Sequence, residues 1–155
     1  MCSVVVISFV FKDNGSMHGD LVLSIGGTDI VCDTYYLALD QQGASELSDA
    51  GRVRVNLAML LRQWLQALSE ISDGGTVYLP YDFSDEYTGW LACQRSGLEV
   101  SVSVGWALVE GWALMPPSQG DIMTTPKGFR VDGPIVRAML MDFVESVRGS
   151  LALVE

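Results

Sequence analysis

The chain has 155 residues, 49% of them hydrophobic and 18% charged, and a formal charge of −10. This is the composition of a globular domain with a buried core, not of a disordered acidic tail, and the length predicts one domain over residues 1–155. No apolar run approaches the roughly 20 residues that span a bilayer. The two most acidic stretches, 1–51 and 73–121, hold only Lys12 and Arg95 as basic residues, a field that repels nucleic acid and anionic lipid and attracts cations.

Residues 3–12 are β-branched and aromatic with almost no polar interruption, which reads as a strand covered on both faces. The run lacks a basic flank and a small-residue cleavage site, so it is expected to remain in the mature chain and the protein to be cytoplasmic. Asp13-Asn14-Gly15 is a turn signal. Residues 20–25 read as a second strand, joined through Gly26-Gly27 to a third over 28–33, which Tyr35–Asp40 is expected to extend or follow.

Val53, Leu57, Leu60, Leu61, Trp64, Leu68 and Ile71 recur at spacings of three and four, one apolar stripe on a helix. Ser48 or Asp49 can cap its start, and Asp73-Gly74-Gly75 ends it. A second β block begins at Val77, with a hairpin of 86–95 and 98–108 around Ser96-Gly97. In its second strand Leu98, Val100, Val102, Val104, Trp106 and Leu108 share one face, and Glu99, Ser101, Ser103, Gly105 and Ala107 share the other. The face of small residues suits a closely packed helix, or a shallow floor for a ligand or partner. Residues 115–134 are rich in Pro and Gly and read as a long loop. A second helix is expected from near Asp132, with Val136, Leu140, Phe143, Val144 and Val147 as its stripe and Gly149 at its end.

Chemistry-bearing motifs are few. Cys2, Cys32 and Cys93 are odd in number and widely spaced, matching neither a disulfide framework nor a zinc pattern. His18 is the single histidine, so no Ser-His-Asp set can form without it, and it is expected to be dispensable. Glycine-rich phosphate motifs are missing. The densest mixture of aromatics and carboxylates is Leu79 to Trp90, where Asp82, Asp85 and Glu86 stand beside Tyr81, Tyr87 and Trp90. Carboxylates on a strand-end loop beside Glu110 could ligate a hard cation or divide into acid and base. Aromatic anchors ringed by carboxylates also make a surface that grips a cationic partner, and that reading fits the charge better.

In size, acidity and lack of an export signal, and in the stretch from Tyr81 to Trp90, the chain resembles the small acidic α+β immunity proteins that bacteria carry beside toxins. The resemblance implies inhibition of a cytoplasmic toxin by occluding its active site. It is a likeness of class and carries over no residue-by-residue site.

The expected fold is therefore α+β, a mainly antiparallel sheet of about six strands with two packed helices. The leading function is binding of a basic protein through Tyr81, Asp82, Asp85, Glu86, Tyr87 and Trp90, with no nucleic acid and no membrane as partner. A small-ligand or metal-dependent enzyme site under the 115–134 loop and a structural or oligomer subunit with no ligand stand as alternatives. No catalytic residue, cofactor or metal site is assigned.

Overall fold

A computed structural model describes residues 5–15, 20–39, 48–84, 86–109 and 124–155. Within them the chain forms two antiparallel sheets and three helices. The N-terminal sheet has β1 (Ile7–Lys12), β2 (Asp20–Ile25) and β3 (Thr28–Cys32), in that order. Gly26 and Gly27, at φ 59° and 77°, make the two-residue turn between β2 and β3, where left-handed backbone favours glycine. The helices α1 (Tyr35–Leu39) and α2 (Asp49–Glu70) follow. The second sheet has β4 (Thr76–Phe83), β5 (Thr88–Ser96), β6 (Glu99–Ala107) and β7 (Arg130–Met139), again in chain order, and α3 (Leu140–Ala152) closes the fold.

The helix stripe is borne out. Ser48 caps α2, its Oγ accepting the Gly51 amide at 3.1 Å, while Asp49 pairs with Arg52 one turn on. Val53, Leu57, Leu60, Leu61, Trp64 and Leu68 are buried along one side of α2. Trp64 ties three elements together. Its ring stacks on Phe9 of β1 with centroids 5.5 Å apart, and its Nε1 donates to the Pro80 carbonyl of β4 at 3.0 Å. Val100, Val102 and Val104 of β6 and Phe143 and Val147 of α3 join the same core. The alternation of β6 thus gives the right inner face, but Leu98 and Leu108 lie beyond its ends and are exposed.

Four expectations are corrected. Among the described residues seven strands form two sheets where one sheet of about six was expected, and the helices number three, not two. Tyr35–Leu39 is a helical turn because Asp33 breaks the strand: its Oδ1 accepts the Tyr35 amide at 2.8 Å, and the Thr34 carbonyl accepts the Ala38 amide at 2.9 Å. Residues 130–139 are strand, and the second long helix starts at Leu140 and runs past Gly149 to Ala152. Val136 and Leu140 matched a helical spacing only because a strand–helix junction happens to separate them by four residues. Gly133, at φ 154°, and Pro134 oppose a helix there, and the β6–β7 register shifts beside them, between Ser103 and Gly105.

Last, no helix among the described residues packs on the small-residue face of β6. The helices and the N-terminal sheet share the core with the valine face. On the opposite face Phe129 stands over Gly105 and meets Tyr78 edge-on, with ring centroids 5.4 Å apart.

The outer edge of β1 is covered by α3. The Ser146 and Ser150 hydroxyls accept the backbone amides of Val6 and Phe9 at 2.9 and 3.0 Å. Side-chain oxygens thereby satisfy donors that an open strand edge would present to another chain.

Candidate functional site

The free edges of the two sheets, β3 and β4, meet, and a cleft lies at their junction. Its volume is about 450 Å³, and it is lined by Ile30, Val31, Tyr81, Asp82, Tyr87, Gly89, Trp106 and Asp132. Three residues singled out in the sequence, Tyr81, Asp82 and Tyr87, come together here. Trp106, Asp132, Ile30 and Val31 were not singled out for function. They arrive from β6, β7 and β3, and only the sheet pairing brings them in.

A β-bulge makes the site. Pro80 pairs with Trp90, but Asp82 pairs with Gly89, so Tyr81 is the extra residue. In a regular strand Tyr81 and Asp82 would point to opposite faces. The bulge turns both toward the cleft. Pro80 has no amide hydrogen to give, and it sits on an edge strand as such a residue must. Across from the bulge, a Cβ on Gly89 would come within 2.6 Å of the Tyr81 ring, so glycine is what lets that ring lie flat on β5.

Hydrogen bonds fix the walls. The Tyr81 hydroxyl reaches the Gly105 carbonyl at 3.4 Å, and Asp82 Oδ1 accepts the Asp33 amide at 3.0 Å, bridging the sheets. Trp106 Nε1 donates to Asp132 Oδ2 at 3.2 Å, and the Tyr87 and Trp106 rings meet edge-to-face with centroids 5.8 Å apart. Burial pushes the Tyr81 hydroxyl pKa well above its ordinary value. The neighbouring Cys32, Asp82, Tyr87 and Asp132 push the same way, which places all four around one phenol. Burial also raises Asp82, against the Asp33 and Phe83 amides that lower it.

A raised carboxyl pKa has a consequence for stability. The folded chain then holds a proton that the unfolded chain has released, so the contribution of Asp82 is favourable at low pH. It is lost as the pH climbs from the unfolded value, ~3.9, through the raised folded one. Asp82→Asn keeps an oxygen for the Asp33 amide and removes the buried charge. It is expected to raise the thermal midpoint at pH 7 by about 2 °C. The gain should vanish near pH 3, where both side chains are neutral; an equal gain at both pH values would refute this.

The other named residues fall differently. Glu86 is exposed beside Tyr87. Asp85, Glu110 and His18 lie outside the described residues. Trp90 is corrected: it is fully buried on the face opposite the valine core, and its Nε1 donates to the buried Thr88 hydroxyl at 2.7 Å, so its ring is no surface anchor. Thr88, Trp90 and Ala92 share one strand face, and Trp90 on it is sealed. Cys32 and Cys93 are free, buried thiols whose pKa values burial raises, which suppresses the reactive thiolate.

Of the expected 115–134 loop, residues 115–123 lie outside the described residues. A second cavity of about 430 Å³ lies between Trp90, Leu108, Val109 and residues 124–127. Among its described lining residues Lys127 is the one ionisable group, which does not make an acid–base pair. No group of three or more His, Cys, Asp or Glu among the described residues is placed to hold a metal ion, and no helix among them is long and apolar enough to cross a membrane. Comparison with known protein families, curated proteins and solved structures finds no match for this chain.

Proposed function

We propose that the protein binds a basic protein partner through the face around the junction cleft, as a cytoplasmic immunity protein would cover a toxin's active site. The observation that carries this reading is the convergence of Tyr81, Asp82 and Tyr87 with Trp106 and Asp132 in one cleft. Aromatic rings and carboxylates from three strands and the β4–β5 loop meet there, on a chain of net charge −10. Such a surface divides the labour. Carboxylates raise the encounter rate with a cationic protein, and partly exposed rings lengthen the stay once they are desolvated. Glu86 and Asp132 are the exposed described carboxylates beside the rings, and Asp85 adds a third by sequence.

The test is kinetic. With a basic protein captured from the source cell, Glu86→Lys combined with Asp132→Lys is expected to slow association about tenfold and flatten its salt dependence. Tyr87→Ser should leave association alone and speed dissociation. Association and dissociation rates unchanged in both variants would exclude this face. By the same charge argument, neither DNA nor RNA should bind at micromolar concentration.

A further inference from the structure

We propose that the junction cleft is a receptor for a guanidinium group, the head of an arginine side chain. This rests on the reading above in taking the site's natural partner to be basic. The cleft has the parts that such a group needs. Tyr87 and Trp106 form an edge-to-face corner, and Trp106 is braced by its own hydrogen bond to Asp132. Asp132 stands exposed, and Asp82 lies deeper, with Oδ1 held by the Asp33 amide. Each carboxylate has about four lone-pair sites, and these contacts use only part of that capacity.

The sign of the field is uniform. The carboxyl groups of Asp82 and Asp132 both disfavour ionisation of the Tyr81 phenol between them, and no Lys, Arg or His is among the described residues that line the cleft. An anion would therefore be repelled. A metal ion would find too few ligands, since no cluster of three ligating side chains occurs among the described residues. An organic cation meets neither objection.

Among organic cations, guanidinium fits best. It is flat, so it can lie along an indole face, and it is more weakly hydrated than an ammonium, so it gives up less on entering a cleft walled by Ile30, Val31 and three aromatic rings. Its five N–H donors can serve two carboxylates at once, whereas a quaternary ammonium offers none. A volume of about 450 Å³ accepts an arginine side chain with room for water.

The experiment needs no partner. The indole N–H signal of Trp106, assigned by its loss in Trp106→Phe, is followed by NMR while the free protein is titrated. The probes are N-acetylarginine amide, N-acetyllysine amide and tetramethylammonium. Arginine amide is expected to move the Trp106 signal with half-saturation at about millimolar concentration, as small ligands do. Lysine amide should need roughly fivefold more, and tetramethylammonium more again. Asp132→Asn and Tyr87→Ser, both at exposed positions, should each weaken arginine amide about fivefold with the rest of the spectrum unchanged. A Trp106 signal unmoved by arginine amide, or tetramethylammonium binding at least as tightly, would overturn the assignment. The two readings fail separately. A captured basic partner with an unmoved Trp106 would leave the function standing and remove the guanidinium. Arginine amide binding with no effect of Glu86→Lys and Asp132→Lys on the partner's rates would do the reverse.

Discussion

Trp64→Ala is expected to destabilise the protein by about 3–5 kcal/mol in urea denaturation. The indole is fully buried and bridges three elements, α2, β1 and β4. Its removal opens a large cavity against Phe9 and strands the Pro80 carbonyl in the core without its donor. Trp64→Phe separates the two effects. It keeps a ring against Phe9 and loses the N–H, and about 1–3 kcal/mol should follow from the orphaned carbonyl and the smaller ring. A loss below 1 kcal/mol for Trp64→Ala would mean that the sheets are held together by something other than this contact.

Gly105→Ala is the second large effect, about 3 kcal/mol of lost stability. A Cβ built there lies 2.1 Å from the Arg130 carbonyl oxygen and 2.7 Å from the Phe129 ring. The ring could turn aside, but the backbone of β7 cannot move without breaking its pairing with β6. The same substitution at Gly149 has the opposite sign. That glycine lies in α3, exposed, with nothing within 4 Å of the new methyl, so Gly149→Ala should gain up to about 1 kcal/mol. Equal thermal midpoints for the two variants would show that β6 and β7 do not approach as closely as Gly105 implies.

Elements with one uninterrupted period were legible in the sequence. The stripe from Val53 to Leu68 and the alternation from Val100 to Val104 each repeat their own signal, and Leu57, Leu61, Trp64, Leu68, Val102, Val104, Phe143 and Val147 are all buried. What failed lay at junctions. Asp33 ends a strand and caps a helical turn in a single residue, so Tyr35 to Leu39 looked like more strand. Between Ile135 and Leu140 the chain passes from strand to helix with no glycine or proline at the change, and the apolar spacing carries across it.

The site was half legible for a related reason. Tyr81, Asp82 and Tyr87 are neighbours in the chain and drew notice by composition. Trp106 and Asp132 join them through pairings that no local pattern states. Trp90 misled because its aromatic character is the same in a buried position as on a surface, and only the fold decides which. The bulge at Tyr81 is likewise silent in the sequence, although Pro80 marks the place where the strand must be at an edge.

The serine hydroxyls that α3 lays on β1 tie together backbone positions 140 and 141 residues apart. During synthesis the strand emerges early and its seal emerges late. At ribosomal speeds of about 5–20 residues per second, that edge stays open for roughly 10 s. For that interval the nascent chain carries an apolar strand with unclaimed amides, the form most prone to pair with a neighbour on the same messenger. The closing helix therefore acts as a timing element as well as a packing one, and the yield of soluble protein should respond to translation rate more strongly than its equilibrium stability would suggest.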